Sequence, residues 1–318
     1  MKKILITVAI LVLTWSYWVN TIKTTHPVVY HLSQGANIVS VANNLEKQGV
    51  IRSSFFLRIA AKVFGFESKL KSGYYDITPN MKVMDLLDNF VSATVAERNI
   101  TLIEGKTVRH YYQQLQSIEA LKSNGSLANT MRLAGVKAPY EGIFWPDTYR
   151  VRYGDSVASI FKRSHQIMQE ILNSEWKNRD KTLRLKNASQ ALILASLIEK
   201  ETAHNAEKSQ IAGVFMRRLQ IGMRLQTDPT VVYGLGEKYR GFLTRQDLKF
   251  NSPYNTYRNH GLPPTPISSV SITSLRAVMH PASGDTLFFV AKKNGTHAFA
   301  KTYQQHRLNI KKHLLTKN

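Results

Sequence analysis

The sequence predicts an α+β protein: an N-terminal transmembrane helix, a small α+β module behind it and a larger, helix-rich α+β domain. Three observations carry this. Residues 4–22 hold no charged side chain, residues 27–100 alternate short strand-like and helical runs, and the chain beyond residue 155 is dominated by apolar spacing of helical period. With 318 residues, 43% of them hydrophobic, there is enough apolar material for more than one core.

The uncharged run comes first. Its 19 residues, at roughly 1.5 Å each, reach about 28 Å, close to the thickness of a bilayer core. A cleaved signal peptide begins the same way. However, SYWVNTIKTT (residues 16–25) offers no Ala-x-Ala cleavage pattern, and Trp15, Tyr17 and Trp18 have the composition of an interfacial aromatic belt. With residues 1–3, including Lys2 and Lys3, kept in the cytoplasm, everything after Lys23 faces outward. The expectation is a single-pass protein of the cytoplasmic (inner) membrane whose large domain stands in the periplasm.

Charge and composition then exclude several classes. Against 21 Asp and Glu stand 43 Lys and Arg, a formal net charge of +22. Such a balance invites a nucleic-acid reading, but an outward-facing chain meets no nucleic acid. Anionic headgroups or the carboxylates of cell-wall polymer are the partners that location offers, and a merely solvated basic face is the alternative. The absence of cysteine excludes disulfides, thiolate metal sites and a Cys nucleophile. Ten scattered His without HExxH spacing give no metal site, and SSVSITS (residues 268–274) has no Gly-x-Ser-x-Gly elbow. No glycine-rich phosphate loop is present, so no cofactor is expected.

In the module, VVYHL (residues 28–32) reads as a strand, and Asn37 caps a helix carrying Ile38, Val41, Ala42 and Leu45. A second helix starts after Ser53 with Phe55, Phe56, Ile59 and Val63 as its apolar stripe. GYYDI (residues 73–77) is a strand, Pro79 and Asn80 a turn, and residues 83–90 a third helix. The run VVYHLSQGANIVSVANNL resembles a LysM-type glycan-binding motif; a generic strand–helix packing unit is the alternative. Residues 101–154 read as a connector, with Ile100 to Ile103 and Gly105 leading into a helix over 108–115 and the aromatic cluster FWPDTY (residues 144–149) closing it. That cluster suits either sugar stacking or core packing. The domain from 155 to 318 is helical up to Gly236 and then loop-rich. It ends in a strand over 286–291 and a basic helix from Thr302.

SQALILASLIEKETAHNA (residues 189–206) reads as one helix capped by Asn187 or Ser189. Leu192, Ala195, Glu199, Thr202, Ala203 and Ala206 share a stripe on which Glu199 is the one ionisable member. Lys200, His204, Glu207 and Lys208 fall on a polar face. A carboxyl on an apolar face loses water, which raises its pKa and suits it to act as an acid near neutral pH. A buried ion pair with Arg217 or Arg218 is the alternative. Asp228, in TDPT, is a possible partner carboxylate or a helix cap before Pro229.

LASLIEKET (residues 194–202) closely resembles the catalytic segment of the endolytic murein transglycosylase (MltG, YceG-like) family. The resemblance continues through VFMRRLQIGMRLQTDPTVVYGLG (214–236), PYNTYRNHGLPPTPI (253–267), THAFAKTYQQH (296–306) and EGIFWPDTY (141–149), nearly the whole chain in order. Thr265 departs from it, standing where the family has Gly. The resemblance implies a lyase that cleaves the MurNAc–GlcNAc bond within glycan strands and leaves 1,6-anhydromuramoyl ends, with Glu199 at the catalytic position. It also implies strand termination beside peptidoglycan synthases. Such chemistry uses one carboxyl twice and needs no second one, whereas a hydrolase needs a pair. Tyr254, Asn255 and Tyr257 offer donors and ring faces to sugars, and hydrogen bonding within the turn is the alternative for Asn255. Gln226, Tyr233 and His297 are further subsite candidates. A muramidase-type hydrolase and a non-catalytic wall-binding scaffold are the competing readings.

Overall fold

The computed structural model describes residues 17, 20–79 and 81–315, in two compact units. The smaller runs as far as Asn99 and adds Ala120–Lys122 and Arg150–Asp155; the larger holds Ile100–Glu119, Ser123–Tyr149 and the chain from Ser156. The sequence segment read as a connector is therefore divided between the two units. The architecture is mixed α+β and helix-rich, its sheets two-stranded.

Most of the predicted anchor, with Lys2, Lys3, Trp15 and Trp18, lies outside the described residues, as does Asn80. Among the described residues no helix is long and apolar enough to cross a membrane. The last three residues assigned to the anchor are not helical. Thr21 bridges Lys82, the Ile22 N–H donates to the Met81 carbonyl at 3.4 Å, and the Ile22 side chain is buried in the core of the small unit.

That unit is ordered β1 (Val28–Leu32), α1 (Ile38–Lys47), α2 (Ser54–Val63), β2 (Gly73–Ile77) and α3 (Val83–Ser92). Strands β1 and β2 pair antiparallel, Val28 opposite Ile77 and Tyr30 opposite Tyr75, and turn Tyr30, Leu32, Tyr75 and Ile77 into the core. Helix α1 begins where the Asn37 side chain accepts the Ser40 N–H at 2.8 Å, and it buries Ile38, Val41, Ala42 and Leu45 as their spacing predicts. Helix α2 departs from its expected face: it buries Leu57 and Ala61, while Phe55, Ile59 and Val63 are exposed. Apolar residues run almost all the way round SFFLRIAAKV, so periodicity alone does not choose the buried side. Close packing favours the stripe containing the small Ala61.

In the chain that follows, β3 (Glu97–Thr101) pairs with β4 (Thr148–Arg152). Between them lie α4 (Val108–Gln116) and α5 (Leu127–Ala134), and after them come α6 (Val157–Lys177), α7 (Ala188–Glu201), α8 (Asn205–Gln220), α9 (Asp228–Leu235) and α10 (Ile272–Met279). Strands β5 (Phe288–Ala291) and β6 (His297–Ala300) form an antiparallel hairpin with Phe288 opposite Ala300. Sequence reading missed β6, whose HAFA is too short for alternation to stand out. Helix α11 (Tyr303–Ile310) follows its Thr302–Gln305 capping box.

Helix α7 organises the large unit. Residues 191–198 are all buried, and the helix packs against α6, α8, α9 and α10. A helix apolar on every side is stable only when surrounded. Replacing Leu194, which is fully buried in this cluster, should expose the dependence: Leu194→Ala is expected to lower the unfolding free energy by about 2–5 kcal/mol, read from denaturant titration.

Candidate active site

The site is built where α7 ends. Asn187 starts the helix, its side chain accepting the Gln190 N–H at 3.0 Å. Thr202 then turns to extended backbone (φ −146°, ψ 138°) and its hydroxyl accepts the His204 N–H at 3.0 Å, so the helix stops at Glu201. The single helix read over residues 189–206 is thus two, and Ala203 and Ala206 lie beyond the stripe they were assigned to.

Glu199 has an 8% exposed side chain, but its surroundings are polar. Its Oε2 accepts the Ser271 N–H at 2.9 Å and the Ser271 hydroxyl at 2.5 Å, and it lies 3.4 Å from Lys208 Nζ. Lys208 is buried as well, donating at 3.0 Å to each of the Ser271 and Thr273 hydroxyls. Burial pushes the Glu199 pKa up. The Ser271 and Ser274 side-chain bonds, the Ser271 N–H and the Lys208 charge outweigh it and hold the carboxyl below its ordinary range. The raised pKa expected from the apolar stripe is therefore not found. Two things sequence spacing hid explain this: Lys208 is turned inward, and Ser271 caps α10, whose N-terminus favours negative charge.

Glu201 is the opposite case. It is the last residue of α7, at the end of the helix dipole that disfavours an anion. Its Oε1 accepts the Thr227 hydroxyl. Burial first, then the nearby Asp228 charge, push its pKa up to about 7 against the lowering effects of Thr227 and Arg218. Glu201 falls about 200° around the helix from Glu199, off the apolar stripe, so spacing does not mark it. Glu199 and Glu201 line the same cavity of about 630 Å³, with Gly105, Lys200, Lys208 and Ser271 also on its wall.

A second cavity of about 880 Å³ shares Gly105 and Lys200 with the first and is walled by Arg109, Glu141, Pro229, Tyr233 and Ile267. Glu141 stands in a loop, EGIFWPD, where no periodicity marks it. It is buried, accepts the Val108 N–H at 3.0 Å and the Tyr233 hydroxyl at 3.2 Å, and burial raises its pKa to about 7. The next residue must be glycine: Gly142 has φ +76°, and a Cβ there would stand 2.3 Å from Pro266 Cβ.

The other predicted residues separate into two groups. Tyr233 and Tyr254 come together, ring centroids 4.8 Å apart, and the Tyr254 hydroxyl meets that of Thr265 at 2.8 Å. Tyr257 donates to Asp228 Oδ1 at 2.5 Å, on the Glu201 side of the site. Asp228 is the first residue of α9, with Thr227 as its N-cap, so it is not itself the cap. Asn255 is not available to substrate: it is fully buried, its Nδ2 donates to the Leu248 and Phe250 carbonyls and its Oδ1 accepts the Tyr257 N–H. His297 is also engaged, its Nδ1 2.8 Å from Glu207 Oε2 and its ring against Phe289. Gln226 is exposed at φ 51° and lines neither cavity. In FWPDTY, Phe144 is buried against Phe161 and the Tyr149 hydroxyl donates to the Trp145 carbonyl, which is core packing.

A sequence model of the YceG-like family matches residues 30–312. The chain belongs to the YceG-like family. It is 30% identical over 314 residues to the endolytic murein transglycosylase of Bacillus subtilis strain 168, covering 91% of this chain and 85% of that protein. It is 26% identical over 325 residues to the endolytic murein transglycosylase of Streptococcus pneumoniae D39, covering 90% of this chain but 58% of that longer protein. The crystal structure of a yceG-like protein from Listeria monocytogenes matches with a TM-score of 0.58 at 28% identity, over 90% of this chain and 99% of that one.

In this YceG-like chain two carboxyls shifted in opposite directions face one cavity, Glu201 pushed up to about 7 and Glu199 held below its ordinary range, which separates a candidate acid from a fixed anion. Carbon-13 spectra of labelled glutamates should show two carboxyls titrating with midpoints of about 7, one lost in Glu141→Gln and the other in Glu201→Gln. The Glu199 signal should stay in its ionised position there and move only below the ordinary carboxylate range. A Glu199 signal that titrates near neutrality would reverse the assignment of the proton.

Proposed function

We propose that this chain, like its relatives, is an endolytic murein transglycosylase, and that Glu201 rather than Glu199 is its catalytic acid and base. The observation that carries the assignment is a carboxyl on the cavity wall that still holds its proton up to about 7, two residues from one that cannot. Glu201 donates that proton to the oxygen between N-acetylmuramic acid and N-acetylglucosamine as the bond breaks and positive charge develops at the muramoyl anomeric carbon. The carboxylate left behind takes the proton of the muramoyl 6-hydroxyl, whose oxygen closes on that carbon. One bond breaks, one forms, the enzyme regains its proton and no water is consumed. The reacting hydroxyl belongs to the same sugar, so a nucleophile of high effective concentration replaces a second carboxylate.

Glu199 then has a positioning role, its Oε2 tying α7 to Ser271 and Lys208. Glu201 Oε1 accepts one hydroxyl, that of Thr227, beside the Asp228 charge, whereas Glu199 Oε2 is committed to Ser271 and Lys208, as an anchor requires. Tyr233 supplies a ring face along the larger cavity for a sugar ring, with the Tyr254 ring packed against it.

The finer reading includes a membrane anchor. Support comes from the uncharged residues 4–19 after Lys2 and Lys3, which orient both units outward, into the periplasm. The β1–α1–α2–β2 order of the small unit fits a LysM-like glycan-binding role. A tethered enzyme of this kind suits trimming nascent strands next to peptidoglycan synthases.

Digestion of purified glycan strands followed by mass spectrometry tests the chemistry. The parent chain should give 1,6-anhydromuramoyl ends, and Glu201→Gln should lower their rate of formation by about 10²–10⁴. Glu199→Gln should retain measurable cleavage. Reducing muramic acid ends would instead indicate a hydrolase, and equal cleavage by all three proteins a scaffold with no catalytic carboxyl here. Loss confined to Glu199→Gln would restore the role to Glu199.

The pH profile follows from the same group. An acid must be protonated, so kcat/KM should fall as pH rises through about 7, by about tenfold per unit well above it. Because Glu141 titrates in the same range, the decline should persist in Glu141→Gln.

A further inference from the structure

Helix α2 of the small unit carries an apolar face left exposed among the described residues of that unit. Phe55, Ile59 and Val63 recur every fourth residue and are 59%, 43% and 71% exposed; Phe64, directly after the helix, is 57% exposed and stacks on Phe66. The buried side of the helix, Leu57 and Ala61, points the other way. Large apolar side chains clustered on one exposed face mark an interaction surface. Beside that stripe, Arg58 and Lys62 form an adjacent exposed row. Residues 52–71 hold five basic side chains and a single acidic one, Glu67.

An apolar stripe flanked by a basic row is the pattern of a helix lying in the plane of a bilayer surface. The apolar side enters the headgroup boundary, and Arg and Lys reach back to lipid phosphates. The stripe itself carries no hydroxyl or amide with which to read a sugar, so glycan is a poor fit to it. Chain continuity points the same way. Residues 20–22 are built into this unit, the Asn20 carbonyl accepting the Val83 N–H at 2.9 Å. The uncharged segment immediately before them is the one read as the anchor.

We propose that α2 docks on anionic phospholipid in the outward-facing leaflet of the bilayer, so that the small unit is held against that surface rather than hanging from a free tether. This rests on the anchor reading. Charge complementarity selects anionic phospholipid, whose surface potential attracts the Arg58–Lys62 row.

The chain has no cysteine, so Val63→Cys and, as reference, Asn43→Cys on the exposed side of α1 each give one labelling site. Each full-length variant, labelled with a polarity-sensitive fluorophore, is reconstituted into vesicles containing phosphatidylglycerol and into purely zwitterionic ones, then floated. In the anionic vesicles the label at residue 63 should emit to the blue and be quenched by acrylamide about threefold or more weakly than that at residue 43, with protection reduced in zwitterionic lipid. A chain that floats with both labels equally quenched overturns the docking while leaving the anchor intact. One that fails to float overturns the anchor and the docking with it. Protection that grows with the protein-to-lipid ratio assigns the face to a second copy and also overturns the proposal.

Discussion

The bond set joining Glu199, Ser271 and Lys208 fixes the geometry on which the rest of the site depends. It fastens the last turn of α7 to the first turn of α10 and to α8, two helices that α7 packs against. Two residues further on, a side chain emerges about 200° around the helix. The same backbone therefore delivers one carboxyl to a cation and a helix N-terminus and the other to Thr227 and Asp228. A pair so close in sequence differs in protonation because the two faces of a single helix end in different company.

The start of α9 shows what the second environment gives up. Thr227 occupies the N-cap position, yet its hydroxyl donates to Glu201 and makes no cap bond. The backbone N–H of Thr227 goes instead to the Thr256 hydroxyl, and Thr230 meets that same hydroxyl at 2.9 Å. Asn255, buried in the same loop, holds the chain so that Tyr257 reaches Asp228. A residue expected to touch sugar thus works one layer back, as the fastening of a loop whose backbone has few regular partners.

Features set by local rules were legible in the sequence. Asn37 and Thr302 mark the starts of α1 and α11 through bonds that span three residues, which spacing alone reveals. The order of elements in the small unit follows from the same kind of signal. Features set at a distance were not legible. Nothing local shows that Lys208 turns inward, or that Ser271, far along the chain, caps the helix facing Glu199. The end of α7 was hidden for a different reason: ETAHNAEK holds neither Gly nor Pro, and the break depends on Thr202 bonding its own backbone neighbour. The exposed side of α2 was illegible because SFFLRIAAKV is apolar in nearly every direction.

A carboxyl that must first release a proton and then recover one works best when neither form is strongly favoured at the operating pH. Glu201 reaches that balance through opposed contributions. Burial and Asp228 disfavour the anion, while Thr227 and Arg218 support it, the Arg218 guanidinium being held in place by the Leu225 and Leu287 carbonyls. Burial alone would leave an acid reluctant to ionise; the cation and hydroxyl alone would leave an anion with no proton to give, which is the condition of Glu199. The midpoint of about 7 is therefore a product of the fold around α7 and α9. A change to Arg218, Asp228 or Thr227 acts on the chemistry by shifting that balance even though the acid itself is untouched.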